Sequence, residues 1–201
     1  MKIIQSYIDF ILPNMEGWCS REKAVDLANT IAREKPKTAV EIGVFAGRSL
    51  LAIALTLPEG ATVIGIDPWA SDASIKGFED ENKVWWGKVD HERIFLECAL
   101  VIKFLAIKNI RIFRLTAQQA LEQNHIPTAI DFLHIDGNHS KESSCYDVTN
   151  YVPRVTPGCQ VWFDDCDWNT TQKAQQLLSE TCALERTITS GISVCGVYRK
   201  R

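Results

Sequence analysis

The chain has 201 residues, of which 46% are hydrophobic and 23% charged, with a formal net charge of −3. This is enough for one buried core, and no Pro/Gly/Ser-rich stretch or charge block marks a linker, so we predict a single domain over residues 1–201. The net charge supplies no overall basic field for nucleic acid, and no run of about 18 apolar residues is present to span a membrane.

The cysteines and residues 1–12 indicate the cellular compartment of the protein. Residues 1–12 contain one lysine and an apolar run broken by polar residues, which is atypical of a signal peptide. The cysteines number seven and lack C-x-x-C spacing, so we interpret them as reduced, apolar core residues rather than disulfide partners or zinc ligands. These features predict a cytoplasmic protein.

Along the chain, a helical lead-in at residues 1–35 precedes alternating strands and helices. The predicted lead-in helices are Ile3–Leu12 and Glu22–Arg33. The predicted strands are Thr38–Ile42, Thr62–Asp67, Ile110–Leu115, Ile130–Ile135 and Gln160–Phe163. The predicted later helices are Ser49–Leu57, Val89–Ile107, Gln118–Gln123, Lys141–Val152 and Asn169–Ser179.

The last predicted elements are a turn at Pro157-Gly158 and a closing hairpin. The hairpin strands are Leu184–Thr189 and Ser193–Arg199, joined across Ser190-Gly191-Ile192. Strands that alternate with crossover helices predict an α/β fold with a Rossmann-like, doubly wound, mostly parallel sheet and helices on both faces. The C-terminal antiparallel hairpin is unlike a plain dinucleotide-binding fold.

A glycine-containing turn follows the first predicted strand, in Glu41-Ile-Gly-Val-Phe-Ala-Gly-Arg-Ser49. Gly43 and Gly47 allow the backbone to approach a ligand where a Cβ would clash, and the next helix directs unpaired N–H groups at it. The carboxylate of Glu41 disfavours a pyrophosphate and favours a ligand with an ammonium or sulfonium charge. The turn therefore favours S-adenosylmethionine over NAD.

Polar side chains follow the end of each predicted strand. Because ligands of open α/β sheets bind beyond the carboxyl ends of the strands, we expect these residues to converge. They are Glu41, Asp67, Thr116, Asp136, Asp164 and Asp165. Asp67, about 20 residues after the glycine turn, is placed to accept both hydroxyls of a ribose. The alternative is a capping or surface acid.

Three motifs resemble those of class I S-adenosylmethionine-dependent methyltransferases. They are Glu41–Ser49, Ile64-Gly-Ile-Asp-Pro-Trp69 and Phe132-Leu-His-Ile-Asp-Gly-Asn-His139. The last motif, continued by Pro157-Gly158 and Val161-Trp-Phe-Asp-Asp165, is most similar to small metal-dependent O-methyltransferases of the macrolide-sugar and catechol type. The chain departs from that pattern at Cys159, where a second glycine is expected, and at Lys141, where an aromatic residue is common.

The resemblance implies a set of cofactor contacts. The methionine end of S-adenosylmethionine would lie against Glu41, Gly43, Gly47 and Ser49. Asp67, followed by Pro68, would hold the ribose, and Thr116, Ala117 and Gln118 would flank the adenine. Asp136 is also counted among the cofactor-binding residues.

Asp136, Asp164 and Asp165 are candidate metal ligands. Three ionised carboxylates at neighbouring strand ends raise each other's pKa unless a countercharge is present, and a divalent cation would supply it. Hard oxygen ligands favour Mg²⁺ over zinc. The resemblance implies that acids at these positions chelate Mg²⁺, which would hold two neighbouring oxygens of the acceptor. The alternative is that Asp164 and Asp165 cap the helix near Asn169 or are solvated.

His139, together with Asp136, is the candidate catalytic residue. It lies where the related families place a basic residue, and it would take the acceptor's hydroxyl proton during in-line methyl transfer. An ordinary pKa of about 6.5 would leave this imidazole largely neutral near pH 7. The alternative is a hydrogen-bonded loop histidine. His134, inside an apolar strand, is interpreted as structural, and His91 and His125 receive no role.

Residues 69–88 are a candidate lid or acceptor wall. The segment contains Trp69, Phe78, Trp85 and Trp86, whose faces suit a sugar or a phenol equally, and Trp168 is a further candidate. The alternative is that these aromatic residues anchor a surface loop. Because the lead-in offers little substrate-binding mass, a homodimer partner is a candidate to complete the pocket.

The sequence therefore predicts an S-adenosylmethionine-dependent O-methyltransferase that acts on a hydroxyl of a small metabolite, with Mg²⁺ and with His139 as base. A metal-independent methyltransferase with another acceptor and a non-catalytic S-adenosylmethionine-binding module are the alternatives. A dinucleotide-dependent enzyme is disfavoured by Glu41 and by the terminal hairpin.

Overall fold

The computed structural model describes residues 2–79, 81–190 and 193–201. Its strands are β1 (Thr38–Ile42), β2 (Thr62–Ile66), β3 (Ile110–Phe113), β4 (Ile130–Ile135), β5 (Val155–Phe163), β6 (Cys182–Ser190) and β7 (Ser193–Lys200). Its α-helices are α1 (Lys2–Ser6), α2 (Arg21–Glu34), α3 (Arg48–Ala54), α4 (Ser71–Ser74), α5 (Glu81–Trp86), α6 (His91–Phe104), α7 (Ala117–Glu122), α8 (Lys141–Tyr151) and α9 (Gln172–Thr181). A π-helix (Tyr7–Ile11) and a 3₁₀ turn (Leu12–Asn14) continue α1, and a second 3₁₀ turn (Val152–Arg154) precedes β5.

The strands form one sheet in the order β3-β2-β1-β4-β5-β7-β6. Strands β1 to β5 are parallel, and β7 pairs antiparallel with both β5 and β6. This confirms the predicted mostly parallel, doubly wound sheet with an antiparallel C-terminal pair. The order reverses between β1 and β4, so their carboxyl ends form the crevice in which such sheets bind ligands.

Two apolar layers cover the sheet. On one face, buried residues of α2, α3 and α6, such as Leu27, Leu50 and Ile94, pack on Ala39 and Phe132. On the other face, α7, α8 and α9 pack on β1, β2, β4 and β5. Because side chains alternate along a strand, the residue after Val40 and the residue after Leu133 point toward α2. Those positions are occupied by Glu41 and His134.

Most predicted boundaries are confirmed to within a few residues. β1 and β4 match the prediction because each is a short apolar run between breaking residues. The turn predicted at Pro157-Gly158 is wrong: these residues lie inside β5, where Gly158 has φ +84° and the pairing with β4 shifts register, as in a β-bulge. The predicted hairpin connection Ser190-Gly191-Ile192 falls largely outside the described residues.

The helix predicted at Asn169–Ser179 begins three residues later, at Gln172. The Thr171 hydroxyl donates to the carbonyls of Asp165 and Trp168, which holds the preceding residues in a turn. All seven cysteines are free thiols. Within the described ranges no helix has the length and hydropathy needed to cross a membrane.

Candidate active site

A cavity of about 760 Å³ opens at the carboxyl ends of the strands. This volume lies within the usual range for small-molecule sites, about 300–1,000 Å³. Most of the predicted site residues line it, namely Gly43, Ser49, Asp67, Pro68, Thr116, Ala117, Gln118, Asp136, His139, Asp164 and Asp165. Glu41 and Gly47 are not among the lining residues.

The two glycines of the turn are required by contacts inside the protein. Gly43 has φ +85°, and a Cβ there would lie 1.8 Å from the backbone carbonyl oxygen of Asp136. Gly47 has φ +90°, and a Cβ there would lie 2.7 Å from Sγ of Cys98. The absence of a Cβ at these positions therefore admits the end of β4 and a side chain of α6, and the expected approach of a ligand to Gly43 and Gly47 stays a prediction.

Asp67 holds the glycine turn in place. Its Oδ2 accepts hydrogen bonds from the backbone N–H groups of Val44 (3.0 Å) and Phe45 (2.9 Å), and its Oδ1 accepts one from Trp69 (2.7 Å). Burial raises the pKa of Asp67, and these three bonds oppose that rise. The carboxylate thus ties the end of β2 to the turn after β1, a role that the sequence did not reveal.

Trp69 belongs to this hydrogen-bonded turn and not to the acceptor wall. It is 3% exposed, its indole N–H donates to the carbonyl of Phe45 (2.9 Å), and its ring packs edge-on against Phe95 at 5.0 Å. Both Phe45 (φ +49°) and Trp69 (φ +41°) have left-handed backbones, a conformation that costs energy for residues other than glycine. Their hydrogen bonds to Asp67 compensate for that strain.

After β3, Thr116 begins α7 with a capping box. Its hydroxyl accepts from the N–H of Gln119 (3.2 Å), and the Gln119 side chain accepts from the N–H of Thr116 (2.9 Å). This fixes the first turn of α7, so that Ala117 and Gln118 line the cavity next to Thr116.

At the opposite side of the cavity, the carboxylates of Asp136 and Asp164 share a cation supplied by the chain. Nζ of Lys23, on α2, makes a very short contact with Oδ2 of Asp164 and lies 3.5 Å from Oδ2 of Asp136. Although burial opposes ionisation of Asp164, the ammonium of Lys23 holds the pKa of this carboxyl well below its usual range. Burial and the charge of Asp164 raise the pKa of Asp136 to about 6.

His134 extends this buried network toward β1. Its Nδ1 lies 3.0 Å from Oε1 of Glu41 and its Nε2 lies 3.0 Å from Oδ2 of Asp164. Burial and nearby Lys23 disfavour the imidazolium, but the bonds to both carboxylates outweigh them and raise the pKa of His134 to about 9. Ser49 donates to the same oxygen of Glu41. Glu41 therefore acts inside the protein, beneath the glycine turn.

The side chain of His139 lines the cavity and lies between two carboxylates. Its Nε2 lies 3.4 Å from Oδ1 of Asp136 and 3.2 Å from Oδ2 of Asp165. Burial lowers the pKa of His139, but these carboxylates more than compensate and leave it raised. The expectation of an ordinary pKa is therefore corrected upward. Asp165 also accepts from Ser193 (2.8 Å), and α9 has no side-chain cap, so Asp165 does not cap that helix.

The predicted ligands fit a divalent cation poorly. Among the described residues, the candidate ligands whose atoms all lie within 4.8 Å of one another are His134, Asp136 and Asp164, a set that omits the predicted ligand Asp165. Both nitrogens of His134 are engaged, and the ammonium of Lys23 lies between the two carboxylates. A metal would have to displace it.

Lys23 was not predicted as a site residue, and the lead-in, residues 1–35, was expected to contribute little to the site. Glu16, Gly17, Trp18, Cys19 and Lys23 all line the cavity, contrary to the expectation that this segment contributes little to the site. A signal was present: Lys23 lies four residues before Leu27 and eight before Ile31, on the buried stripe of α2. A lysine on an apolar stripe indicates a buried acidic partner.

Asn138 is a second missed residue. Its side-chain amide lies within hydrogen-bond distance of the carbonyls of Ala73 (3.1 Å), Ser74 (3.0 Å) and Lys76 (3.0 Å). These contacts fasten the segment after β2 to the loop after β4. Gly77 follows in the same segment, and a Cβ there would lie 2.7 Å from Cβ of Ser140.

An aromatic cluster flanks the cavity opposite the carboxylates. Trp18 packs against Phe45 (5.3 Å), Trp85 (5.1 Å) and Trp86 (5.8 Å), and Trp86 stacks on His91 (6.2 Å). Trp18 is 55% and Trp85 is 46% exposed. The lead-in and the segment 69–88 thus form one aromatic surface.

Comparisons with known proteins identify the family of the chain. Residues 40–166, more than half of the chain, match the family model described as a methyltransferase domain. The uncharacterised protein y4gI of Sinorhizobium fredii is 24% identical over 136 residues, which is 66% of this chain. Those residues are 13% of the relative, so the chain spans about an eighth of its length.

Two solved structures share the fold. The O-methyltransferase TomG of Streptomyces achromogenes, involved in tomaymycin synthesis and solved with S-adenosylmethionine, has a TM-score of 0.65 and 15% identity, covering 98% of this chain and 86% of that one. An O-methyltransferase of Bacillus cereus, solved with S-adenosylhomocysteine, has a TM-score of 0.59 and 15% identity, covering 99% and 89%. The chain belongs to the methyltransferase domain family, and its fold is that of the class I S-adenosylmethionine-dependent methyltransferases.

Proposed function

We propose that this protein transfers the methyl group of S-adenosylmethionine to a hydroxyl of a small molecule. The observation that carries the proposal is that one cavity is lined both by most of the predicted cofactor residues and by His139. In the reaction the sulfonium S–CH₃ bond breaks as an O–CH₃ bond forms, and the hydroxyl proton leaves. The products are S-adenosylhomocysteine and the methyl ether.

The cofactor is proposed to lie across the ends of β1 and β2. Thr116, Ala117 and Gln118 would flank the adenine, and Asp67 and Pro68 would face the ribose. Asp67 Oδ1 already accepts one N–H, but a carboxylate oxygen has a second lone pair for a hydroxyl. Gly43, Gly47 and Ser49 would lie at the methionine end, with Glu41 supporting Ser49 from below. We propose that residues 1–201 act as one domain.

His139 is the proposed general base. Its imidazole must be neutral to accept the hydroxyl proton, and the acids Asp136 and Asp165 then stabilise the imidazolium that forms. The raised pKa makes His139 a stronger base but leaves less of it neutral near pH 7. A bound sulfonium cation would oppose the protonated form and increase the neutral fraction.

The aromatic surface is the proposed acceptor wall. Trp18, Trp85 and Trp86 line the cavity, and aromatic rings at that place suit a planar phenol or the apolar face of a sugar. From the segment 69–88, Phe78, Trp85 and Trp86 would belong to this wall, whereas Trp69 is buried, and Asn138 anchors the segment at Ser74.

Mg²⁺ assistance is a second candidate. The group of His134, Asp136 and Asp164 supports it, as does Oδ1 of Asp164, which is buried without a hydrogen-bond partner. The ammonium of Lys23 counts against it, so we favour metal-independent transfer. If a metal binds, it would polarise the acceptor hydroxyl.

The test begins with calorimetric titration of S-adenosylhomocysteine, followed by turnover of phenol and sugar acceptors with and without chelator. His139→Ala should lower turnover by about 10² to 10⁴ while the affinity for S-adenosylhomocysteine is unchanged. His125→Ala is the matched control, because His125 stacks on Phe113 away from the cavity. Cofactor binding without turnover on any acceptor would favour a non-catalytic binding module, and turnover that chelator abolishes would favour Mg²⁺.

A further inference from the structure

We propose that the ammonium of Lys23 occupies the cation position of this site, so that a fixed internal cation replaces a divalent metal. The inference concerns the site of the proposed reaction. Its test measures metal binding without an acceptor, so its failure can be distinguished from failure of the proposed function.

The first observation is the placement of Lys23. The residue is 5% exposed, and Nζ reaches Asp164 and lies 3.5 Å from Asp136. These two carboxylates follow β4 and β5, neighbouring parallel strands whose ends lie side by side. The ammonium therefore bridges the pair of acids that a chelated cation would bridge.

The second observation is that α2 holds Lys23 there. Ser20 caps the helix by accepting the N–H of Lys23 itself (3.1 Å), and Leu27 and Ile31 on the same stripe are fully buried. Farther along, Asp26 pairs with Arg186 of β6 (3.0 Å). These contacts fix the N-terminal half of α2, and they hold Lys23, which lies between Ser20 and Asp26, next to the two carboxylates.

The third observation is the balance of charge. Oδ2 of Asp164 lies between the ammonium of Lys23 and Nε2 of His134, and Glu41 faces the far nitrogen of that ring. Other titratable groups near the cluster are Asp165, His139 and the thiols of Cys19 and Cys195. The ammonium of Lys23 already compensates part of the charge of the two carboxylates, and it would repel a divalent ion placed between them.

Lys23 is thereby also a positioning residue. It contacts Oδ2 of Asp136, while Oδ1 of the same carboxylate faces His139. The ammonium fixes the carboxylate that orients the proposed base, which is a task that a metal would otherwise perform.

The experiment is a titration of Mn²⁺ followed by the electron paramagnetic resonance signal of the free ion. The probe is Mn²⁺ because it accepts carboxylate and imidazole ligands. The proteins are the wild type, Asp164→Asn, Lys23→Ala, Lys23→Ala with Asp164→Asn, and Lys173→Ala. The last is a matched control, since Lys173 is an exposed lysine on α9.

We expect no saturable Mn²⁺ binding by the wild type or by Lys173→Ala. Lys23→Ala should bind Mn²⁺ at least about tenfold more tightly than the wild type, because it removes the cation that the carboxylates of Asp136 and Asp164 share, and the added Asp164→Asn should abolish that gain. Lys23→Met, which keeps the volume of the side chain, replaces Lys23→Ala if circular dichroism shows that the alanine variant does not fold.

Saturable binding by the wild type that Asp164→Asn removes would overturn the proposal. So would a folded Lys23 variant that gains no Mn²⁺ affinity. The positioning role is tested separately, by following the ¹⁵N resonances of the His139 side chain as a function of pH. We expect the titration midpoint of His139 to differ from that of the wild type in Lys23→Ala and to be unchanged in Lys173→Ala. An unchanged midpoint in both would refute that role.

Discussion

Replacing Asp67 with alanine should affect both stability and cofactor binding. The carboxylate accepts the N–H groups of Val44, Phe45 and Trp69 at 2.7–3.0 Å, and Val44 and Trp69 are each 3% exposed. A buried donor left unsatisfied costs about 1–3 kcal/mol. Water that enters the vacated space recovers part of this, so we expect a loss of about 3–5 kcal/mol in the free energy of unfolding.

The loss of Asp67 should also weaken binding of S-adenosylhomocysteine by about 1–3 kcal/mol, the scale of hydrogen bonds to a charged group. Urea unfolding followed by circular dichroism measures the first effect, and calorimetric titration measures the second.

The matched control for Asp67→Ala is Asp131→Ala. Asp131 accepts two backbone N–H groups, from Lys37 and Thr38, both at 3.0 Å, but at the opposite end of β1 and nearer to solvent. We expect it to lose about 1–2 kcal/mol of stability and no cofactor affinity. If Asp67→Ala were no less stable than Asp131→Ala, the role assigned to Asp67 in the turn would be wrong. If Asp67→Ala bound S-adenosylhomocysteine as tightly as the wild type, its role at the ribose would be wrong.

Three further predictions follow from the same contacts. Gly43→Ala should lower the free energy of unfolding by more than about 4 kcal/mol, because its Cβ would overlap a backbone carbonyl at 1.8 Å. Gly60→Ala, with φ +79° and no atom within 4 Å of its Cβ, should lower it by only about 1–2 kcal/mol, through backbone strain. Equal losses of the two variants in urea unfolding would refute this prediction. The pKa of His134 is raised from 6.5 to about 9, so its stabilisation is complete below about pH 6.5 and is lost as the pH rises through 9. The unfolding free energy of the wild type relative to His134→Gln should therefore fall by up to about 3 kcal/mol between about pH 6 and about pH 10, and a constant difference would contradict the charge assigned to His134. For turnover, kcat/KM should rise with pH with a midpoint above about 6.5, because the base must lose its proton and the pKa of His139 is raised; a midpoint at or below that value would count against His139.

The fold was predictable because its strands are apolar runs between clear breaks. Thr38–Ile42 and Ile130–Ile135 were predicted with their observed bounds. The failure at Pro157-Gly158 has a physical cause: a proline and a left-handed glycine predict a turn, but β5 absorbs both in an irregular stretch where its pairing with β4 shifts. The sequence predicts the local backbone conformation of Pro157-Gly158, but it does not show how this part of β5 pairs with β4.

The site was predictable where it depends on strand ends and not where it depends on helix packing. Asp136 and Asp164 follow adjacent strands, so their convergence followed from topology alone. The countercharge was expected as a metal because neither 130–140 nor 160–170 contains a lysine or an arginine. Lys23 lies over a hundred positions away, and only the rotation of α2 on the sheet brings it to them.

The chain Glu41–His134–Asp164–Lys23 is better explained by function than by stability. Buried ion pairs of this kind are often no more stabilising than apolar residues of the same volume, because removing charges from water costs about as much as their attraction returns. The neighbouring inward positions, Ala39, Phe132 and Trp162, are apolar and fully buried, so the same face accepts hydrophobic residues elsewhere. Charge is retained only at the carboxyl ends, where the network meets Ser49 on one side and Asp136 on the other. A network placed at that edge connects the glycine turn to the loop that carries His139, and it fixes both against the same buried cation.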